Sequence, residues 1–92
     1  MIFFLHGGPG DGSYQFVGFQ TSQLWTNYSF AYWDQRDAGS AAGNSNYSNL
    51  NVPQMIEDLQ KLVTVIHYRY GNDMEIFLMG HSFGGLLGCG YL

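Results

Sequence analysis

Three short apolar runs and one long amphipathic stripe punctuate the chain. Ile2 to Leu5 is an unbroken apolar run closed by His6-Gly7-Gly8-Pro9-Gly10, which reads as a buried strand ending in a loop, His6 to Ser13. Tyr14 to Trp25 is amphipathic but weakly patterned and reads as a short helix. Ser29 to Trp33 is aromatic and bounded by polar residues, a second strand. Arg36 to Asn51 is poor in apolar residues and rich in Gly, Ala, Ser and Asn, a long loop of the kind that is usually functional or mobile.

The strongest periodicity runs from Val52 to Tyr70, where Val52, Met55, Ile56, Leu59, Leu62, Val63, Ile66 and Tyr70 form one helical stripe. Asn51 can cap this helix, with Gln54 as capping-box partner and Pro53 in the first turn. Glu57 and Asp58 lie toward its positive end, His67 and Arg69 in its last turn, and Gly71 supplies the stop. Glu75 to Met79 is a third apolar strand, followed at once by Gly80-His81-Ser82-Phe83-Gly84-Gly85 and a glycine-rich helix start. Apolar strands alternating with helices, without period-two polarity, predict an α/β fold: a parallel sheet with helices on both faces. Such a sheet gathers its chemistry at the carboxyl ends of its strands, where all the motifs below fall.

Composition narrows the picture. Ninety-two residues allow at most one small domain, and only 11% are charged, against about 25% in ordinary globular domains. A domain this small has mostly surface, so the low charge predicts a segment that belongs inside something larger, residues 1–92 being part of a core domain. Net charge is −4, and Arg36, Lys61 and Arg69 form no basic patch, which argues against nucleic acid. The opening apolar run is too short for a signal peptide and no stretch reaches membrane-spanning length, so the default location is the cytoplasm. Without an export signal, the N-Y-S sequons at Asn27 and Asn46 read as chance matches. The lone Cys89 excludes an internal disulfide, and the three histidines with Cys89 have no metal-ligand spacing. Neither metal nor cofactor is expected.

Gly80-x-Ser82-x-Gly84 directly after a strand is a nucleophile-elbow pattern, in which a sharp turn lifts the serine hydroxyl clear of the sheet. Gly80 and Gly84 are expected to lack side chains because strand and helix converge there, with Gly85 and Gly88 letting the helix approach its neighbours. The alternative is a tight turn with an inert serine. The loop His6 to Gly10 suits an oxyanion hole, since glycines let amides approach a developing negative charge. The expected donors are the Gly8 and Phe83 N–H groups, with Gly7 the alternative to Gly8, and Pro9 fixing the loop. A phosphate loop through Gly7 and Gly12-Ser13 fails because its lysine is absent and Asp11 stands beside the phosphate position. Asp34 and Arg36, after the second strand, are expected to brace each other as an ion pair. His81 reads as a packing residue and His67 as a helix-end residue.

The ordered set HGGPG, then DQR-x-x-G, then GxSxGG, from His6 to Gly85, resembles the α/β-hydrolase superfamily and within it the proline iminopeptidase-like serine peptidases. Asp37 stands where those peptidases carry glycine after DQR. The resemblance implies hydrolysis of a peptide, or of a small amide or ester, through an acyl-enzyme on Ser82, typically releasing an N-terminal proline. It also implies that the first strand here is the third of the family sheet, and that His6 and Pro9 shape the oxyanion loop. In this fold the triad acid and base follow the serine in the chain. After Ser82 only Phe83 to Leu92 remain, with no acid or histidine among them, and the substrate-holding cap is absent too. Residues 1–92 are thus expected to carry a nucleophile and an oxyanion hole without a base, and to be inactive alone. Three other readings compete: an esterase or lactonase on the same scaffold, a non-catalytic remnant, and dinucleotide binding through Gly80 to Gly85, where Ser82 replaces the second glycine of the fingerprint. The oligomeric state is not legible.

Overall fold

The computed structural model describes residues 1–18, 22–43 and 47–92. Its elements are β1 (Ile2–Leu5), α1 (Tyr14–Val17), α2 (Ser22–Asn27), β2 (Phe30–Trp33), α3 (Val52–Tyr70), β3 (Phe77–Gly80) and α4 (Phe83–Tyr91). Short 3-10 turns at Gly39–Ala41 and Tyr47–Asn49 lie in the long loop between β2 and α3. The helix expected over Tyr14 to Trp25 is two helices, with residues 19–21 between them outside the described residues, as is Asn46 of the second sequon. The strand expected over Glu75 to Met79 begins two residues later and ends one later.

The sheet is parallel throughout, in the order β2-β1-β3. Its register pairs Phe3 with Ala31 and Leu78, and Leu5 with Trp33 and Gly80. That row faces α3 and α4: Phe3, Leu5 and Leu59 are the buried centre of the core, with Leu62, Val63, Ile66 and Tyr91 packed around them. The opposite row carries Ile2, Phe4, Tyr32, Phe77 and Met79, and α1 lays Phe16 against Phe4 at a ring separation of 5.0 Å. Helices therefore meet both faces, as expected. Burial differs sharply between strands. Central β1 is wholly buried, β2 partly so, and β3 leaves Phe77 53% and Met79 38% exposed. Apolar composition cannot distinguish a central strand from an edge strand.

Helix α3 starts and stops where the stripe predicts. Asn51 Oδ1 accepts the Gln54 N–H at 2.9 Å, and Gly71, at φ 102°, returns its N–H to His67 O. The capping box is not reciprocal: Gln54 Nε2 donates forward to Asp58 Oδ1 at 3.3 Å, one helical turn on. Met55 and Leu59 are buried, while Val52 and Tyr70 at the ends of the stripe are exposed. Gly88 is buried, and a Cβ there would meet Leu5 Cδ1 of β1 at 3.5 Å; the closest approach of α4 to α3 is at Gly90, where a Cβ would stand 2.6 Å from Ile56 Cδ1. Among the described residues no helix is long and apolar enough to cross a membrane.

Candidate active site

Two chain segments meet at the carboxyl end of the sheet. The first leaves β1 through His6 to Gly10; the second leaves β3 through His81 and Ser82 into α4. Because β1 and β3 are hydrogen-bonded neighbours running in the same direction, both exits arrive on one edge. His81 N–H donates to Leu5 O at 3.0 Å and locks them together.

Ser82 sits at φ 53°, ψ −117°, in a region that residues with side chains rarely occupy, and is solvent exposed. The turn is this tight because the neighbouring backbones have no room for a Cβ. One added at Gly80 would stand 2.6 Å from the Gly85 Cα, and one at Gly84 would fall on the carbonyl oxygen of Leu5. Phe83 is the first residue of α4, and the leading amides of a helix have no partner within it. Among the described residues its N–H has no backbone hydrogen-bond partner, and it stands at the positive end of a helix, one residue from the serine.

The glycine loop lies against this turn. A Cβ on Gly7 would be 3.3 Å from Ser82 Cβ and 2.9 Å from His81 Nδ1. Gly8 has φ 116°, and the Gly8–Pro9 bond is cis. His6 is fully buried: its Nε2 accepts the Gln35 N–H at 3.0 Å and its Nδ1 lies 2.6 Å from Gly7 O. Gln35 Nε2 donates to His6 O at 2.7 Å, so Gln35 holds His6 from both main chain and side chain.

The expected Asp34–Arg36 pair does not form. Chain direction changes immediately after β2, with Asp37 at φ 59°, so the alternation that would put both side chains on one side no longer applies. Asp34 instead accepts Ser13 N–H at 2.7 Å and Ser40 N–H at 2.8 Å. The Ser13 N–H above all, with Ser40, holds its carboxyl below the usual carboxylate range, against the opposing effect of burial. Gly39 wraps so closely that a Cβ there would lie 2.5 Å from Asp34 Cγ. Arg36 forks onto Asp58 of α3, with Nε to Oδ2 at 2.9 Å and Nη2 to Oδ1 at 2.8 Å. Gln35, Ser13 and Asp58 are thus structural partners whose contacts do not follow from the sequence pattern. Gln35 could have been suspected, as the middle residue of DQR.

A cleft of about 350 Å³ opens beside Phe83, walled by Pro9, Gly10, Arg36, Asp37, Val52 and Met55. His81 packs its ring on Phe16 at 5.1 Å, and His67 lies at the far end of α3, 3.2 Å from Gly71 O. Among the described residues no imidazole or carboxylate is hydrogen-bonded to Ser82, and no group of three or more His, Cys, Asp or Glu could hold a metal ion.

A parallel sheet whose third strand turns through a G-x-S-x-G segment into a helix, beside a glycine loop from the neighbouring strand, defines an α/β hydrolase. The chain belongs to the serine aminopeptidase S33 family of hydrolases, whose profile matches residues 1–92. It is 34% identical over 89 residues to a proline iminopeptidase of Saccharolobus solfataricus, covering 95% of this chain and 26% of that one. It is 26% identical over 88 residues to a probable aminopeptidase of Bacillus subtilis, YbaC, covering 95% of this chain and 27% of that one. The chain therefore spans about a quarter of the length of these curated relatives. No solved structure matches it.

Proposed function

We propose that residues 1–92 are the nucleophile-bearing segment of a serine peptidase core that releases an N-terminal proline, or a similar residue, from peptides. The observation that carries this reading is Ser82 in its rare backbone conformation at the β3–α4 junction, pressed against the glycine loop. Ser82 Oγ attacks the scissile carbonyl, and the Gly8 and Phe83 N–H groups receive the oxyanion. The acyl group stays on Ser82 while the amine leaves, and water then releases it. An acid and a histidine base come from outside residues 1–92. The cleft beside Phe83, with apolar walls from Pro9, Val52 and Met55, offers a seat for a small apolar side chain or ring. The similarity to a proline iminopeptidase and to a probable aminopeptidase favours this reading over the esterase or lactonase alternative.

The test is made on the full-length polypeptide that contains residues 1–92. Proline p-nitroanilide is expected to be hydrolysed faster than p-nitrophenyl acetate relative to their spontaneous rates, and Ser82→Ala is expected to abolish both activities and fluorophosphonate labelling. Undiminished turnover by Ser82→Ala would remove the serine from the mechanism. Hydrolysis of the ester alone would favour the small-molecule reading.

A further inference from the structure

The cleft beside Phe83 carries a charge that its surroundings do not cancel. Arg36 and Asp37 both line it. Arg36 is committed elsewhere, because the two carboxylate oxygens of Asp58 take its guanidinium at 2.8 and 2.9 Å. Asp37 is half-buried and, among the described residues, has no cationic partner. Its Oδ1 accepts the Gly43 N–H at 3.2 Å, which leaves most of the acceptor capacity of a carboxylate unused. The start of α3, at Asn51 and Val52 on the same cleft, acts in the opposite sense. A helix terminus is worth only about half a charge, however, and Asn51 Oδ1 already caps this one.

The remaining walls, Pro9, Val52, Met55 and Phe83, are apolar. Apolar sides around one unpaired carboxylate suit a group of the reverse design, an apolar stem that ends in a cation. A peptide's α-ammonium is held beside the carbonyl carbon that Ser82 attacks. The elbow residue that walls the cleft is Phe83, so a side-chain stem is needed to carry a cation into it. We propose that the cleft is a specificity subsite for a basic side chain, with Asp37 receiving the ammonium of lysine or the guanidinium of arginine at the peptide N-terminus. Such peptides are then substrates alongside those that begin with proline. The inference rests on the serine-peptidase reading above and names a further substrate class for the same site. The proline ring and the lysine stem share the apolar walls, and the longer basic side chain reaches the carboxylate. Asp37 makes and breaks no bond.

Lysinamide and norleucinamide share an α-ammonium and an aliphatic stem and differ in the terminal ammonium, so comparing them isolates what Asp37 contributes. Binding of each is measured by calorimetry on the full-length polypeptide carrying Ser82→Ala, which needs no turnover. Lysinamide is expected to bind about 10-fold tighter, the lower end for a hydrogen bond between charged groups, and adding Asp37→Gly is expected to erase the difference. Glycine adopts φ 59° freely, so this variant keeps the loop, and its melting temperature checks that it does. Equal affinities with Asp37 present, no binding of either amide, or a preference that survives Asp37→Gly would each overturn the proposal. So would tighter binding of glutamic acid α-amide, the anion that the end of α3 favours. Turnover is read separately with Ser82 restored, where lysine p-nitroanilide is expected to be hydrolysed and Asp37→Gly to lower its kcat/KM about 10-fold relative to norleucine p-nitroanilide. An unchanged ratio while Ser82→Ala is inert strikes the subsite alone. Parental turnover by Ser82→Ala strikes the serine reading instead.

Discussion

Among the described residues, two with side chains, Ser82 and Asp37, occupy positive φ, at 53° and 59°. For Asp37 the conformation explains the glycine that related peptidases carry after DQR: glycine adopts it freely, whereas Asp37 has Oδ1 3.2 Å from the Gly43 N–H as partial compensation. Ser82 has no such compensation and lies further from any common well, a conformation costing on the order of 1–3 kcal/mol. The strain follows from the glycine packing on either side, which leaves the turn no slack. Ser82→Gly is therefore expected to be more stable than Ser82→Ala by about 1 kcal/mol in urea unfolding, because only glycine relieves the backbone. Equal midpoints would mean that the turn is not strained. The letters G-x-S-x-G announce a tight turn, but its ψ of −117° and its contact with Gly7 are set by a strand 75 or more residues earlier in the chain.

At the scale of elements, Asp34 joins the end of β2 to the start of α1 through Ser13 and to the following loop through Ser40. Its carboxyl is held below its ordinary value by those N–H donors, the Ser13 bond first. A depressed carboxyl contributes stability that is fully present above the unfolded value of about 3.9 and is lost as pH falls through the lower folded value. Acidifying from pH 6 toward pH 3 is thus expected to weaken the fold, and Asp34→Asn to flatten that part of the profile while lowering stability near neutrality. An unchanged acid profile in Asp34→Asn would show that the junction does not depend on the charge. The ionised carboxylate was legible as a motif residue, but its partners were not. Period-two reasoning paired it with Arg36, and that reasoning stops where the strand stops. Arg36 reaches Asp58 because α3 packs alongside, which is a tertiary fact.

For the whole molecule the decisive feature is the uneven covering of the sheet. Phe77 and Met79 on β3, with Leu86 on α4, are exposed, and the outer edge of β3 has no pairing strand among the described residues. An apolar row beside an open edge favours self-association. Residues 1–92 prepared as an isolated polypeptide are expected to bind a hydrophobic dye and sediment as oligomers, and replacing Phe77 and Met79 by charged residues is expected to reduce both. A cooperative thermal transition from a monomeric sample would contradict this. Low charge pointed this way, and the chain spans about a quarter of the length of the curated relatives it matches. Sequence alone determined what depends on local order: α3 from its stripe, cap and terminal glycine, the three strands from their apolar runs, and the turn from its glycine spacing. Contacts across distant segments were decided only by the tertiary structure. The central place of β1, the clamp of Gln35 on His6, the Arg36–Asp58 fork and the seat of Gly90 on Ile56 each depend on which elements become neighbours. Spacing along a chain fixes the direction of a side chain within one element, but its partner is fixed only when two elements dock.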